Sequence, residues 1–315
     1  MTRAVVLRAF GPPERLVAER REAPAPAPGQ VVVDVQFASV TFVETQLRSG
    51  RPPHPHMAPA LPAVLGNGVG GVVAATGEGV DDALRGRRVV TTTGGTGGYA
   101  ERVAVGASLP IEVPAKLYLQ DAVALLADGR TALSLFEAAT VRPGEVVLVE
   151  AAAGGVGGLL VQLARNAGAR VIAAAGGEPK LEHARELGAE STVDYTRAGW
   201  AQAVGPVDIV FDGVGGAIAA AAYGLLRPGG RFIAYGMASG AFMAINGDER
   251  PDVSVVRGVP LTPERMRELS AVALAEAAAG RLAPTVGQTF ALDRAADAHA
   301  AIEARATIGK TLLLA

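Results

Sequence analysis

Two patterns of hydrophobic residues divide the chain. Up to about residue 117, short runs rich in β-branched residues alternate with glycine and proline, as in QVVVDVQFASV at 30–40. This pattern predicts a β-rich unit with little helix. From Leu117 onward, continuously apolar strand-like runs alternate with helix-like segments. Such strands between helices predict a parallel sheet that is covered on both faces.

The second pattern yields at least five strands, with VSVVRG at 253–258 as a candidate sixth. A helix is then predicted to begin at Thr262, because a capping threonine is followed by a proline in the first turn. The last residues, 289–315, predict a strand, a helix and a closing strand.

Composition narrows the range of functions. The chain has 315 residues, 29 basic and 31 acidic residues, and no cysteine. The balanced charge gives no argument for a nucleic-acid partner. Without cysteine there are no disulfides and no cysteine-ligated metal sites. The N-terminal apolar run is too short for a signal peptide, and no segment approaches the ~20 apolar residues of a membrane span. We therefore expect a cytoplasmic protein of two domains.

A glycine cluster follows the strand-like run VVLV at 146–149. Ala152, Gly154 and Gly157 occupy the three positions of the dinucleotide-binding pattern Gly-x-Gly-x-x-Gly, between a strand and an apolar-periodic helix. Gly154 allows close approach of a pyrophosphate, and Gly157 allows close packing of helix on strand. The N–H groups around Gly155 and Val156 attract phosphate at a helix N-terminus. The alternative is a tight turn without a ligand.

The end of the second strand indicates which dinucleotide binds. An NAD site usually carries an acidic residue there, which binds the ribose 2′-hydroxyl. This strand instead ends in Gly176 and Gly177, with Lys180 three residues further on and Glu178 close by. A 2′-phosphate would meet no carboxylate at the strand tip, so the sequence favours NADPH. The alternative for Lys180 is an ordinary solvated lysine.

Several motifs then point to a family. The glycine cluster together with GEGVDDALRGRRVV at 77–90, GGYAERVAV at 97–105 and IGKTLLL at 308–314 resembles the quinone oxidoreductase branch of the medium-chain dehydrogenase/reductase family. The resemblance implies a GroES-like β-rich domain at 1–118 and 260–315. It also implies a Rossmann domain at 119–259 with a doubly wound, parallel, six-stranded sheet. The strand at 253–258 would form a sheet edge where two subunits pair into a homodimer.

The resemblance also implies an activity, which is hydride transfer from NADPH to a quinone without a metal. A conjugated C=C bond, as in an enoyl or 2-alkenal reductase, is the alternative acceptor, and a non-catalytic NADPH-binding protein is a further alternative. The cofactor-binding residues that it implies, together with those of the glycine cluster, are Thr131, Ala152, Gly154, Gly155, Val156, Gly157, Gly176, Gly177, Lys180, Tyr195, Tyr235, Gly236 and Met237.

The chain departs from its relatives at two places. Gly66-Asn67-Gly68 stands where zinc-dependent relatives carry Gly-His-Glu, so no zinc site is expected. Thr41 and Gln46 stand where the family often has asparagine and tyrosine. They are candidates for lining the active-site cleft, with packing of the domain interface as the alternative, and no catalytic acid is assigned.

The four histidines are not needed for this chemistry. His54 and His56 lie in a proline-rich loop, where we expect them to be solvated or at the mouth of the cleft. His183 and His299 lie in predicted helices, and both are predicted to be surface residues.

Overall fold

The computed structural model describes residues 1–244 and 250–315. They form two compact units, one from residues 1–127 and 270–315 and one from residues 128–269. The described strands are β1 (Thr2–Leu7), β2 (Leu16–Arg21), β3 (Gln30–Val40), β4 (Ala63–Val64), β5 (Gly68–Thr76), β6 (Arg88–Thr92), β7 (Arg102–Gly106), β8 (Ile111–Glu112), β9 (Val146–Glu150), β10 (Arg170–Ala175), β11 (Ser191–Asp194), β12 (Val207–Asp212), β13 (Leu226–Ala234), β14 (Ser254–Arg257), β15 (Val286–Ala291) and β16 (Lys310–Leu314). The described α-helices are α1 (Phe42–Ser49), α2 (Leu119–Ala139), α3 (Gly155–Asn166), α4 (Glu178–Glu186), α5 (Gly216–Tyr223), α6 (Pro263–Ala278) and α7 (Ala295–Glu303).

The first unit is built on two sheets, in which the strand pairs are antiparallel except for the parallel pair β15 and β16. One sheet has the order β2-β1-β4, and a larger one has the order β15-β16-β3-β5-β6-β8, with β7 also paired to β3. The closing strand β16 pairs antiparallel with β3, where Leu313 lies opposite Ala38. The C-terminal residues are therefore part of the β-rich unit that the N-terminal residues begin. The domain bounds that the sequence suggested, after residues 118 and 259, stay a prediction.

The core of this unit is made of small, branched side chains. Val31, Val33, Leu65 and Val69 are fully buried from strands and turns, and Leu313 joins them from the other end of the chain. Valine and isoleucine suit a pleated sheet because their branched Cβ packs well against neighbouring strands. The core thus explains the β-branched runs of the first third of the sequence.

The second unit holds a six-stranded sheet with the order β11-β10-β9-β12-β13-β14. Every neighbouring pair in it is parallel. All five residues of β9 are buried, which matches the continuously apolar run of its first four residues, and Glu150 ends the strand. The chain order reverses between β9 and β12, and ligands of such sheets bind outside the carboxyl ends of the strands at that reversal. The predicted α/β class, with a β-rich unit and a doubly wound parallel sheet, is confirmed.

One helix of the first unit was not anticipated from the sequence. Helix α1 occupies Phe42–Ser49, within a region predicted to be mostly β. It begins with a capping box, in which the Glu44 side chain accepts from the Thr41 N–H at 2.6 Å while the Glu44 N–H donates to the Thr41 hydroxyl. It ends at Gly50 in the left-handed conformation. Both end signals are typical of short helices.

Within residues 1–244 and 250–315, no helix is both long enough and apolar enough to cross a membrane.

Candidate functional site

The residues predicted to bind the cofactor converge on one edge of the parallel sheet. The glycine cluster follows β9, Gly176 follows β10, Tyr195 follows β11 and Tyr235 follows β13. Because these strands are parallel, their carboxyl ends lie at the same edge of the sheet. Thr131 is the exception, since it lies within α2, where its carbonyl oxygen accepts from the Ser134 hydroxyl at 2.9 Å. Binding of a cofactor by these residues stays a prediction.

The glycine cluster forms a tight turn into α3. Gly154 is the N-cap of α3, and the Gly158 N–H donates to its carbonyl oxygen at 2.8 Å. The N–H groups of the first turn, from Gly155 to Gly157, have no acceptor within the helix. A Cβ atom at Gly157 would lie 2.3 Å from the carbonyl oxygen of Ala151, so only glycine lets α3 pack this closely. The turn thus offers N–H donors to a phosphate, and the Asp128 carboxylate lies against it, 2.0 Å from the position of a Cβ on Gly155.

Strand β10 carries no acidic side chain of its own at its tip. Gly176 and Gly177 follow Ala175, and a Cβ at Gly177 would meet no atom within 4 Å. The ring of Tyr195 lies 3.4 Å from the position of a Cβ on Gly176, so this tyrosine borders the strand tip. Lys180 is half-buried in the first turn of α4. The neighbouring Glu178 forms an ion pair with Arg185 at 2.6 Å along the helix.

The carboxylate of Asp194 lies near the tip of β10 and was not predicted from the sequence. Asp194 ends β11, and its side chain accepts from the N–H and hydroxyl of Thr196 at 2.9 and 2.6 Å. These bonds, together with the Gly177 N–H and Arg197, lower the pKa of Asp194. The sequence signal was weak because the carboxylate comes from β11, not from β10, where an NAD site carries its acidic residue.

The turn after β13 packs closely on the end of β12. The N–H groups of Tyr235 and Gly236 both donate to the carbonyl oxygen of Asp212, at 2.9 and 3.1 Å. The Tyr235 hydroxyl donates to the carbonyl oxygen of Glu150 at 3.3 Å. Met237 is half-buried, and its carbonyl oxygen accepts from the Gly240 N–H. The backbone here is fixed by its neighbours.

Thr41 and Gln46 lie in the other unit, on helix α1. The Thr41 hydroxyl donates to the Glu44 carboxylate at 3.0 Å as part of the capping box. Gln46 is 7% exposed, and its side-chain amide donates to the Thr45 hydroxyl at 3.2 Å. Both side chains therefore have structural partners within α1, and their contact with substrate or cofactor stays a prediction.

The prediction that His299 is a surface residue is wrong, since its side chain is fully buried. It faces the core from α7, where its Nε2 lies 2.9 Å from the Tyr99 hydroxyl. That hydroxyl donates in turn to the Glu44 carboxylate at 3.3 Å. Burial, with a smaller effect of Arg48, lowers the pKa of His299 to about 3. The partner is 200 residues away in sequence, so no local pattern signals it.

Zinc does not fit the donor atoms present. Asn67 stands at the position of the zinc-binding histidine, and its side-chain oxygen accepts from the N–H groups of Thr93 and Gly95 at 3.2 and 2.8 Å. His54 and His56 are exposed, as expected. In the part of the chain that the structure describes, no group of three or more histidine, aspartate or glutamate side chains could hold a metal ion.

Known protein families match both halves of the chain. The model for the alcohol dehydrogenase GroES-like domain matches residues 27–115. The model for zinc-binding dehydrogenases matches residues 187–313. The first match lies in the β-rich unit, and the second covers the later strands of the parallel sheet and the C-terminal residues.

Relatives of known name match the whole chain. A 2-haloacrylate reductase of Burkholderia sp. is 34% identical over 100% of this chain and 99% of its own length. A probable quinone oxidoreductase of Schizosaccharomyces pombe is 36% identical over 96% of this chain and 94% of its own length. Among solved structures, the Escherichia coli quinone oxidoreductase complexed with NADPH has a TM-score of 0.90 and 28% identity, and the match covers 99% of this chain and 100% of that one. With its two matched domains and its full-length relatives, this chain belongs to the quinone oxidoreductase branch of the medium-chain dehydrogenase/reductase family.

Proposed function

We propose that this protein is an NADPH-dependent oxidoreductase that transfers a hydride to a quinone. The observation that carries the choice of cofactor is the tip of β10, where two glycines stand in place of the acidic residue of an NAD site and Gly177 borders open space. The Escherichia coli quinone oxidoreductase complexed with NADPH, whose match covers 99% of this chain, supports the same cofactor.

The residues present fit such a cofactor. The first turn of α3 would hold the pyrophosphate through the N–H groups of Gly155, Val156 and Gly157, with Ala152 and Gly154 shaping the turn. Lys180 would pair with the 2′-phosphate, and Gly176, Gly177 and Tyr195 would border the adenosine end. Thr131, Tyr235, Gly236 and Met237 are proposed to position the nicotinamide end. NADPH supplies the hydride when it is bound, and the protein supplies position and exclusion of water.

The choice of a quinone as the hydride acceptor rests on the lack of a tyrosine at position 46. Reduction of an enone leaves an enolate, which benefits from a proton donor in the protein. Gln46 stands in place of the tyrosine that many relatives carry, and an amide donates a hydrogen bond but no proton. Hydride transfer to a quinone leaves a hydroquinone anion, which can take its proton from water, so this replacement favours quinones.

A conjugated C=C bond is the second candidate acceptor. It is favoured by the 2-haloacrylate reductase of Burkholderia sp., which aligns with the whole chain at 34% identity. An enzyme of this kind benefits from a donor for the carbon or oxygen that becomes negative, and the sequence assigns no catalytic acid. The hydroxyl of Thr41, a candidate for lining the cleft, donates to Glu44.

Loss of absorbance of the reduced nicotinamide tests the proposal. We expect turnover with a panel of benzoquinones and naphthoquinones, and none with 2-alkenals, cyclic enones or 2-haloacrylate. Turnover of the unsaturated substrates alone would transfer the assignment to the second candidate. Binding of NADPH without turnover of any acceptor would make the protein a non-catalytic NADPH-binding protein.

The cofactor itself is tested by Lys180→Ala. Loss of one charge-assisted hydrogen bond to phosphate should raise the Kd for NADPH about tenfold or more and leave the Kd for NADH nearly unchanged. Lys116→Ala, in the other unit, is the matched control and should change neither value. Equal affinity of the wild type for NADPH and NADH would contradict the proposed 2′-phosphate site.

A cytoplasmic location and a homodimer belong to the same proposal. Cell fractionation checks the first, and the second is argued below from the edge of the sheet.

A further inference from the structure

Two carboxyl groups meet at the centre of the parallel sheet. Glu150 ends β9 and Asp212 ends β12, and both are fully buried. The register that pairs Phe211 with Val149 brings the next residues, Asp212 and Glu150, side by side. They lie where the chain order of the sheet reverses, directly before the glycine turn that starts α3.

The two groups differ in their partners. One oxygen of Asp212, Oδ1, accepts from the N–H groups of Val214 and Gly215 at 2.8 and 2.7 Å. Its other oxygen, Oδ2, and both side-chain oxygens of Glu150 are buried without a hydrogen-bond donor among the described residues. Two backbone donors stabilise a charge on Asp212, whereas nothing comparable stabilises a charge on Glu150.

Among the described residues, the groups that influence the charges of the pair and of the neighbouring Tyr235 are carboxyl and phenol groups. Tyr235, from the turn after β13, donates to the backbone of Glu150 and not to its carboxyl group. Burial, Asp212 and Glu150 raise the pKa of Tyr235, and Tyr195 and Asp128 add to the effect, so the phenol stays neutral. Burial and Asp212 also raise the pKa of Glu150 well above its usual value. Two buried carboxylates without a cation would carry a large desolvation cost.

We propose that Glu150 and Asp212 share one proton, with Glu150 as the acid that donates to Oδ2 of Asp212. One proton satisfies the orphaned oxygen of Asp212 and removes a charge from Glu150, and it ties the ends of β9 and β12 together. The proposal rests on the proposed NADPH function in one respect: the pair underlies the turn that would hold the pyrophosphate. Loss of the proton would place a second negative charge beneath that turn and would separate the two strand ends. Glu150 is therefore a positioning residue for the cofactor.

Infrared spectroscopy detects the proton in the protein without cofactor. The wild type should show the carbonyl stretch of a buried carboxylic acid at pH 7, and Glu150→Gln should lack it. Glu190→Gln, which changes an exposed carboxylate paired with Arg170, is the control and should keep the band. An identical band in the wild type and Glu150→Gln would overturn the proposal.

The pH dependence of stability gives a second readout without cofactor. The pKa of Glu150 is raised in the folded state, so the wild type binds an extra proton when it folds. The free energy of unfolding of the wild type should therefore fall as pH rises above about 4.3, which is the pKa of a glutamate in an unfolded chain. Glu150→Gln donates to Asp212 at every pH and has no such loss. Its Tm should therefore exceed that of the wild type by a margin that widens from pH 5 to pH 8. A constant margin would contradict a shared proton.

Binding links the proton to the cofactor. The Kd of the wild type for NADPH should rise with pH, toward tenfold per unit, once the pair loses its proton, whereas the Kd of Glu150→Gln should lack this rise. Equal slopes in both proteins would overturn the positioning role and leave the NADPH function standing. An infrared band that behaves as expected in a protein that does not bind NADPH would instead overturn the proposed function and leave the shared proton standing.

Discussion

Buried polar side chains in the β-rich unit are held by residues far away in the sequence. Glu44 is 4% exposed and accepts from Thr41, from the Asn67 N–H at 3.0 Å and from the Tyr99 hydroxyl. Tyr99 connects this carboxylate to His299. If His299 donates from Nε2 to Tyr99, the donors run in one direction toward Glu44, and only the acceptor Nδ1 is left without a partner. Such a network is stable only while the histidine is neutral.

Acid should therefore destabilise this network through His299. Its pKa is lowered to about 3 in the folded protein, and an unfolded histidine has a pKa of about 6.5, so the unfolded chain takes up a proton first as pH falls. We expect this histidine to cost the wild type about 2 kcal/mol of unfolding free energy between pH 7 and pH 5.

Urea unfolding at several pH values measures this loss. His299→Phe, which keeps a ring against Tyr99, should lack this part of the loss, whereas the exposed-loop variant His54→Gln should retain it. Equal acid sensitivity of the wild type and His299→Phe would show that the network does not control the charge of His299.

At the scale of helices and strands, the local sequence predicts an element best where the element is a long run of buried apolar residues. The strands of the parallel sheet and the helices that follow them were predicted because each is a long apolar run with a clear end. Helix α1 was missed because it has eight residues, of which Glu44, Gln46 and Arg48 are polar and nonetheless buried. Two of them have partners far away in the sequence, since the Asn67 N–H donates to Glu44 and Glu303 pairs with Arg48. A short polar helix of this kind is stabilised by contacts that a local pattern does not contain.

The capping box of α1 had a sequence signal, Thr41-x-x-Glu44, and its contribution is measurable. Thr41→Ala should lower the free energy of unfolding by about 1 kcal/mol, because the N–H of Glu44 loses its acceptor. Thr41→Ser keeps the hydroxyl and should have nearly the stability of the wild type. Denaturant unfolding of the two variants measures the difference.

The same two variants distinguish the two roles that the sequence left open for Thr41. Its hydroxyl both donates to and accepts from Glu44, so we expect no change of NADPH affinity in Thr41→Ala. An increased Kd in Thr41→Ala that Thr41→Ser restores would instead assign a cofactor contact to this hydroxyl.

At the scale of the whole molecule, the order of elements along the chain determines the architecture. Alternation of strands and helices predicts the doubly wound sheet and hence the edge at which the glycine turn, Gly176, Tyr195 and Tyr235 collect. The pairing of β16 with β3 was predicted only from the family resemblance, because the residues of IGKTLLL do not indicate which strand they pair with. The buried pair of Glu150 and Asp212 was not predicted, because a single carboxylate at the end of an apolar strand does not show what faces it. A local sequence pattern does not show which residues of distant strands lie next to each other.

The edge of the parallel sheet leads to the last prediction, a homodimer. Within residues 1–244 and 250–315, β14 has only β13 as a strand neighbour, and an unpaired edge strand is a site for pairing with a second copy. The Gly258 N–H donates to Ala234 in β13, so by alternation the Arg257 N–H points away from the sheet. Arg257→Pro removes that outward donor and leaves the bonds to β13 in place.

Light scattering should give the wild type twice the monomer mass of 31.9 kDa and should give Arg257→Pro the monomer mass. Arg257→Ala keeps the backbone donor and should remain a dimer. A dimer that persists in Arg257→Pro would place the interface elsewhere, and a monomeric wild type would contradict the predicted assembly itself.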